Sequence, residues 1–151
     1  ERGNLTVRRV GHMTYSVYGS RDYVARHPPI DGEPLGGRHA IVWDDGHGFM
    51  PAAVWLAREH PGCRIALVTS SLPAQIAAVR AGLGLAVIPD FLAAPEDFVP
   101  VIPSDRLFSN DVWLVTHADL VASARVRAVG DFLADQVMRT NPALSGRGPG
   151  A

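Results

Sequence analysis

The chain of 151 residues has one cysteine, Cys63, and almost no excess of charge of either sign. A single cysteine excludes an internal disulfide and predicts a reducing compartment such as the cytoplasm. A formal net charge of -1 and a sequence pI of about 6.7 exclude the basic surface that nucleic-acid binding requires. No apolar run is long enough to cross a bilayer, and no secretory signal pattern opens the chain. We therefore predict a cytoplasmic domain that does not itself contact DNA or a membrane.

The sequence also has no convergent set of metal-ligating or catalytic residues. Its six histidines are scattered, and one cysteine is available to join them in a metal site. Ser70 and Ser71 have no glycine-flanked elbow of the kind that exposes a hydrolase nucleophile. Asp44 and Asp45 beside His47 are typical of a solvated turn. We therefore predict that the protein is not an enzyme and uses no metal or cofactor.

What the chain does contain is a globular composition, 47% hydrophobic and 19% charged, with enough length for one core. Residues 64–69 are a short apolar, β-branched run, which predicts a buried strand. Ser71 then caps a helix, Gly82 ends it in the left-handed conformation, and residues 85–88 form the next strand. The helix carries an apolar stripe of Ile76, Val79 and Leu83. This strand-helix-strand unit predicts an α/β fold with parallel strands.

Polar residues at the junction of that strand and helix are the best candidates for binding a ligand. In open α/β sheets, ligands bind beyond the carboxyl ends of the strands. Thr69, Ser70 and Ser71 lie at such an end, beside the free N–H groups of a helix N-terminus, which favour an anion. We therefore predict a site for an anion, most simply a carboxylate. Capping by a serine is compatible with this role because both use the same amides.

The remaining chain alternates strands with short helices. Period-2 patterns and β-branched runs predict strands over residues 5–7, 12–18, 39–43, 98–102 and 111–117. Capping residues and prolines predict short helices over residues 20–26, 51–60 and 90–95. A longer helix over residues 120–138 has an apolar stripe of Val121, Ala124, Ala128, Phe132, Leu133 and Val137. The chain beyond it has nothing to bury and is expected to be disordered.

Several segments, in this order, resemble the effector-binding domain of LysR-type transcriptional regulators. They are Tyr-Gly-Ser-Arg-Asp-Tyr-Val-Ala-Arg-His at residues 18–27, Thr-Ser-Ser-Leu at 69–72, Val-Arg-Ala-Gly-Leu-Gly-Leu-Ala-Val-Ile-Pro-Asp-Phe at 79–91, Val-Trp-Leu-Val-Thr-His-Ala-Asp-Leu at 112–120, and Ser-Ala-Arg-Val-Arg-Ala-Val at 123–129. The resemblance runs from about Leu5 to Met138, nearly the whole chain.

The resemblance implies a periplasmic-binding-protein-like α/β fold of type 2, in which two subdomains joined by crossing strands hold a small effector in a cleft. It implies a partial domain over residues 1–138, with a second subdomain at about 19–89, the remnant of a first at 1–18 and 90–138, crossings at 18–20 and 88–90, and a disordered tail at 139–151. The residues implied to bind the effector are Thr69, Ser70, Ser71, Leu72, Tyr18 and Pro89.

The function that the resemblance implies is regulation of transcription by a small, anionic effector. DNA would be contacted only through an N-terminal helix-turn-helix, which does not precede Glu1 in this chain. A partial subdomain would leave sheet edges and an apolar helix face uncovered, which favours self-association as a homodimer. The alternatives are a solute-binding protein of a transport system, a small α/β enzyme, and a dimerisation module without a ligand.

Overall fold

The computed structural model describes residues 4–140, and the side chain of Thr140 is not described. The chain divides into two compact units, a larger one of residues 15–108 and a smaller one formed by the described parts of residues 1–14 and 109–151. The chain changes unit after Thr14 and after Phe108, whereas the sequence predicted crossings at residues 18–20 and 88–90. The assignment of subdomains within residues 1–138 stays a prediction.

The first strand, β1 (Leu5–Ser20), has residues in both units, and the other elements of the larger unit alternate in the predicted order. They are α1 (Arg21–Arg26), β2 (His39–Trp43), α2 (Pro51–Glu59), β3 (Arg64–Thr69), α3 (Leu72–Arg80), β4 (Ala86–Pro89), α4 (Asp90–Ala93) and β5 (Phe98–Ile102). Short 3-10 turns occupy Asp45–His47 and Ser104–Arg106.

The strands of the larger unit mix parallel and antiparallel pairs. β2 and β3 are parallel, and Leu85, just before β4, forms a parallel bridge with Ala40 of β2. The Leu85 N–H donates to the His39 carbonyl at 2.8 Å, and the Ile41 N–H donates to the Leu85 carbonyl at 2.8 Å. β4 and β5 each pair antiparallel with the second half of β1. The predicted strands flanking α3 are therefore parallel, with β2 between them.

Both ends of α3 have the predicted structure. The Ser71 hydroxyl accepts a hydrogen bond from the Ala74 N–H at 3.4 Å, which is an N-cap. Gly82 has a φ of 73°, and the Leu83 N–H donates to the Ala78 carbonyl at 3.0 Å. This is the glycine-containing C-terminal motif that satisfies the last carbonyls of a helix.

Two clusters of buried apolar side chains form the core of the larger unit. One lies around α1 and α2 and includes Val17, Tyr23, Leu35, Ala40, Ala52, Trp55, Leu56, Leu85, Val87 and Ile102. The other lies beneath α3 and includes Ile41, Ala78, Val79, Ala86, Ile88 and Ala93. Since α3 and the two strands β2 and β4 share the second cluster, the position of the α3 N-terminus is fixed relative to the sheet.

The prediction that residues 64–69 form a buried strand is correct for the strand and wrong for its burial. Among the described strands, β3 pairs only with β2 and is an edge strand. Ile65 and Val68 are more than half exposed. An apolar, β-branched run does not distinguish a central strand from an edge strand, because pairing partners are set by the tertiary fold.

The smaller unit contains the first half of β1, β6 (Ser109–His117), α5 (Ala118–Val121) and α6 (Ala124–Thr140). β1 and β6 form an antiparallel ribbon from Leu5 opposite His117 to Thr14 opposite Ser109. Residues 5–7 and 12–18, predicted as separate strands, are therefore parts of one strand. The helix predicted over residues 120–138 is two helices, and the Arg127 guanidinium donates to the Val121 and Ala122 carbonyls, both at 2.9 Å, at the break.

The predicted apolar stripe of the last helix is largely exposed. Phe132 is 61% exposed and Leu133 is 45% exposed, whereas Ala134 is buried. The predicted tail begins as helix at residues 139–140, and its remaining residues, 141–151, lie outside the described residues. Within residues 4–140, no helix is both long enough and apolar enough to cross a membrane.

Candidate functional site

The carboxyl ends of β2, β3 and β4 define the edge of the larger unit where the sequence predicted a ligand. β2 and β3 are parallel and paired, so their carboxyl ends meet at the same edge of the sheet. Thr69 is the last residue of β3, and Asp44 is the first residue after β2. The Asp44 N–H donates to the Thr69 carbonyl at 3.3 Å, which joins the two strand ends. β4 runs parallel to β2 and ends at Pro89. Thr69–Leu72 and Pro89 therefore belong to one edge of the fold.

The junction between β3 and α3 is held by its own hydroxyl groups. The Thr69 hydroxyl accepts from the Ser71 N–H at 3.2 Å, and the Ser71 hydroxyl caps the helix. Pro73, in the first turn of α3, has no N–H. Within residues 4–140, the Leu72 N–H has no described acceptor, and Ser70 is exposed with no described side-chain hydrogen bond. The Ser70 hydroxyl and the Leu72 amide are therefore donors with no described partner, and the Thr69 and Ser71 hydroxyls, which accept in these bonds, each keep an O–H donor.

Gln75 is a buried polar residue that the sequence analysis did not identify. Its side chain is on the sheet-facing side of α3 with Ala78 and Val79, and the residue is 1% exposed. Its amide nitrogen, Nε2, has no hydrogen-bond partner among the described residues. Gln75 follows Ser71 by four residues and therefore shares its face of the helix, and helical side chains lean toward the N-terminus. The unpartnered donor therefore lies on the buried side of the first turns of α3.

The sequence signal for Gln75 was its spacing within the helix. Residues three and four positions later, Ala78 and Val79, are buried, so position 75 belongs to the buried face. Of the predicted stripe, Val79 is buried and Ile76 packs against the cluster beneath α3, whereas Leu83 lies beyond the end of α3 and is exposed. The buried residues of α3 are Gln75, Ala78 and Val79. Because one of the three is polar, the apolar pattern of this face is weak in the sequence.

Tyr18 and Pro89 lie on the paired strands β1 and β4, three positions apart in their register. Tyr18 is opposite Ala86, and Pro89 is opposite Tyr15. The Tyr18 hydroxyl donates to a carboxylate oxygen of Asp90 at 3.0 Å. Burial, followed by the negative charge of Asp90, raises the pKa of Tyr18 to about 12, so the hydroxyl is protonated at neutral pH. Tyr18 packs against the apolar cluster beneath α3, as Ile76 does.

The structure therefore brings the six predicted residues together only in part. Thr69, Ser70, Ser71 and Leu72 form one continuous segment, and Tyr18 and Pro89 form a second group on β1 and β4. The cluster beneath α3 contacts Tyr18 and includes residues of α3 and β4. No described hydrogen bond joins the two groups, and the effector-binding role of all six residues stays a prediction.

The turn after β2 adds an aromatic and histidine surface at the same edge. The His47 ring nitrogen Nδ1 lies 2.6 Å from a carboxylate oxygen of Asp44, and its ring is 5.4 Å from the ring of Trp43. Phe49 is 75% exposed beside His47. No group of three or more His, Cys, Asp or Glu side chains that could hold a metal ion occurs in the described part of the chain.

The fold and sequence place the chain in a known class of ligand-binding domain. The family described as "LysR substrate binding domain" matches residues 1–138. The chain belongs to this family, and its fold is the periplasmic-binding-protein-like type 2 fold of LysR regulatory domains. No curated protein matches the chain.

Solved regulatory domains of LysR-type regulators have the same fold at low sequence identity. The regulatory domain of CrgA from Neisseria meningitidis is 20% identical with a TM-score of 0.69, and the match covers 90% of this chain and 70% of that one. The CcmR regulatory domain of Synechocystis PCC6803, in complex with 2-PG, is 19% identical with a TM-score of 0.65, over 89% and 68% of the two chains. The effector-binding domain of QuiR, in complex with shikimate, is 16% identical with a TM-score of 0.60, over 87% and 64%. This chain spans 48% of a longer CrgA chain.

Proposed function

We propose that this chain is the ligand-sensing part of a LysR-type transcriptional regulator and that it binds a small effector with a carboxylate group at the N-terminus of α3. The observation that carries the proposal is the pair of donors without a described partner at this helix tip, the Ser70 hydroxyl and the Leu72 amide. The buried and unpartnered amide of Gln75 lies in the same helix. The family match and the relatives bound to 2-PG and shikimate support a small-molecule ligand.

The charges at this edge orient the effector. Asp90 is held at the Tyr18 hydroxyl, and a ligand carboxylate near it would meet a like charge. The N-terminus of α3 instead carries the positive end of the helix dipole, which stabilises an anion by about 0.3–1 kcal/mol. Hydrogen bonds to a charged acceptor add about 1.5–3 kcal/mol each. The carboxylate therefore binds at Ser70 and Leu72, and the less polar part of the effector lies toward Tyr18 and Pro89.

In this proposal, the protein acts by shifting between two conformations with different affinities for the effector. DNA is contacted by a segment outside this chain, because this chain has a net charge of -1 and so no excess of positive charge for phosphates. The regulator acts in the cytoplasm. The donors at the helix tip are suited to binding an anion.

The test compares two serine variants with a matched control. Ser70→Ala removes an exposed hydroxyl that has no described intramolecular hydrogen bond, so the fold should be unaffected while carboxylate affinity falls about tenfold or more. Ser104→Ala, at the 3-10 turn before β6, is the control and should bind normally. The measurement is calorimetric titration with the carboxylate that most raises the melting temperature in a panel including shikimate and benzoate. Equal affinity of wild type and Ser70→Ala would refute the assignment.

Exposed apolar residues support a second candidate function, self-association. The ribbon of β1 and β6 has four apolar residues that are each more than half exposed: Leu5, Val7, Trp113 and Val115. Val7 is directly opposite Val115, and Trp113 is opposite Arg9, so their side chains form one face. A contiguous apolar face of this kind is typical of an interaction surface. A homodimer stays a prediction, and light scattering of the purified protein over a concentration series tests it.

A further inference from the structure

A cavity of the larger unit lies where β2 and β3 begin, at the end of these strands opposite to the candidate effector site. Its volume is about 320 Å³, and its lining includes Arg38, Arg64 and His60. His39 is opposite Arg64 in the parallel register of β2 and β3, so Arg38 and Arg64 both lie where the two strands begin. None of the residues predicted to bind the effector lines this cavity.

Arg38 is a buried cation without an anionic partner. The residue is 4% exposed, and its guanidinium donates to the His27 carbonyl at 2.6 Å and to the Pro34 carbonyl at 2.8 Å. No carboxylate forms an ion pair with it among residues 4–140. The two carbonyls satisfy N–H groups but leave the charge uncompensated, and burial lowers the pKa of Arg38 accordingly. Buried arginines are ordinarily paired with an anion.

Arg64 adds a second positive charge to the lining of the cavity. Arg64 forms no ion pair with any carboxylate in the described part of the chain, and His60 packs edge-on against Trp55 with ring centres 5.4 Å apart. Glu33 is the one acidic residue of the lining, and it is exposed and forms no described ion pair. The lining therefore contains two arginines and one carboxylate, which is an excess of positive charge.

We propose that this cavity binds a phosphate group, held by the guanidinium groups of Arg38 and Arg64. Two arginines complement the two negative charges of a phosphate better than the single charge of a carboxylate, and the planar guanidinium presents paired N–H donors to such an oxyanion. The site does not rest on the proposed effector function, because it uses different residues at the other end of the strands.

The test measures how inorganic phosphate changes the thermal unfolding of the purified protein at constant ionic strength, with chloride and acetate as comparison anions. Wild type should show a saturable rise in melting temperature with phosphate that exceeds the rise with acetate. Arg64→Gln removes an exposed cation and should weaken the phosphate affinity at least tenfold. Arg38→Lys keeps the charge but loses the fork of donors, and it should also weaken binding. Arg106→Gln, an exposed arginine outside the cavity, is the matched control and should behave as wild type.

Two outcomes would overturn the proposal. One is an equal phosphate response in wild type and Arg64→Gln, which would mean an adventitious ion only. The other is a response that survives in Arg64→Gln and disappears in Ser70→Ala, which would assign the phosphate to the helix tip of α3. Loss of phosphate binding in Arg64→Gln with unchanged carboxylate affinity supports the cavity, whatever the outcome for the effector site.

Discussion

Replacing Gln75 with methionine should stabilise the protein. The Gln75 amide nitrogen is buried, has two N–H groups and has no partner among the described residues. A buried polar group without a hydrogen bond costs about 1–3 kcal/mol, and methionine has nearly the same length and shape without that donor. Gln75→Met should therefore raise the free energy of unfolding by about 1–3 kcal/mol, because the desolvation penalty disappears.

Urea denaturation and thermal unfolding measure this effect. For a chain of this size, each kcal/mol corresponds to about 2–4 °C in the melting temperature. Ala77→Met, on the exposed side of the same helix, is the control and should change the stability by no more than about 0.5 kcal/mol. Gln75→Glu places a charge at the same position and should destabilise the protein at neutral pH, less so as the pH falls. A loss of 1 kcal/mol or more in Gln75→Met would refute the reasoning, because it would mean that the amide is hydrogen-bonded in solution.

Three further perturbations probe other features of the structure. Gly82→Ala should lower the free energy of unfolding, measured by urea denaturation, by about 1–2 kcal/mol, because Gly82 has a φ of 73°. A Cβ at this position would meet no atom closer than 3.6 Å, so the loss comes from the backbone conformation and not from a clash. An unchanged free energy of unfolding would contradict this reasoning. Hydrogen bonds from arginines hold the pKa values of Glu96 and Asp97 below their ordinary range, so the stability that they contribute is present above the unfolded pKa and lost as the pH falls. Converting both to amides should flatten the fall in stability below about pH 4, and an unchanged acid limb would contradict it. Trp113→Lys should shift any oligomer toward monomer in light scattering while leaving the melting temperature nearly unchanged, since Trp113 is 53% exposed; an unaltered mass distribution would exclude this face.

Elements of the larger unit whose ends are marked by capping residues or glycines were predictable from the sequence. β2 and β3 have the predicted bounds, and the Ser71 cap and the Gly82 terminus of α3 are both present. These features depend on interactions within a few residues: a hydroxyl reaches an amide three positions later, and a glycine adopts a positive φ. The family resemblance, which the match over residues 1–138 confirms, rests largely on such local segments.

Features that depend on distant parts of the chain were not predictable in the same way. The exposure of Ile65 and Val68 follows from the edge position of β3, which the run of apolar residues does not encode. Phe132 belongs to the predicted apolar stripe of the last helix but is more than half exposed, and so is Trp113 of the predicted strand at residues 111–117. Apolar periodicity predicts a face that prefers burial, and whether another element covers that face is decided by the tertiary and quaternary structure.

The donor count at the N-terminus of α3 sets a limit on the proposed effector site. An ordinary helix start offers four free N–H groups, but here Thr69 accepts one near the tip, Ser71 accepts that of Ala74, and Pro73 has none. The Leu72 amide is then the main backbone donor, and it can bind one oxygen of a carboxylate. The second oxygen requires a side chain, and the exposed hydroxyl of Ser70 is one donor for it, beside the O–H groups of Thr69 and Ser71. Discrimination between effectors at this tip therefore depends on side-chain hydroxyls more than on the backbone amides that an ordinary helix start offers.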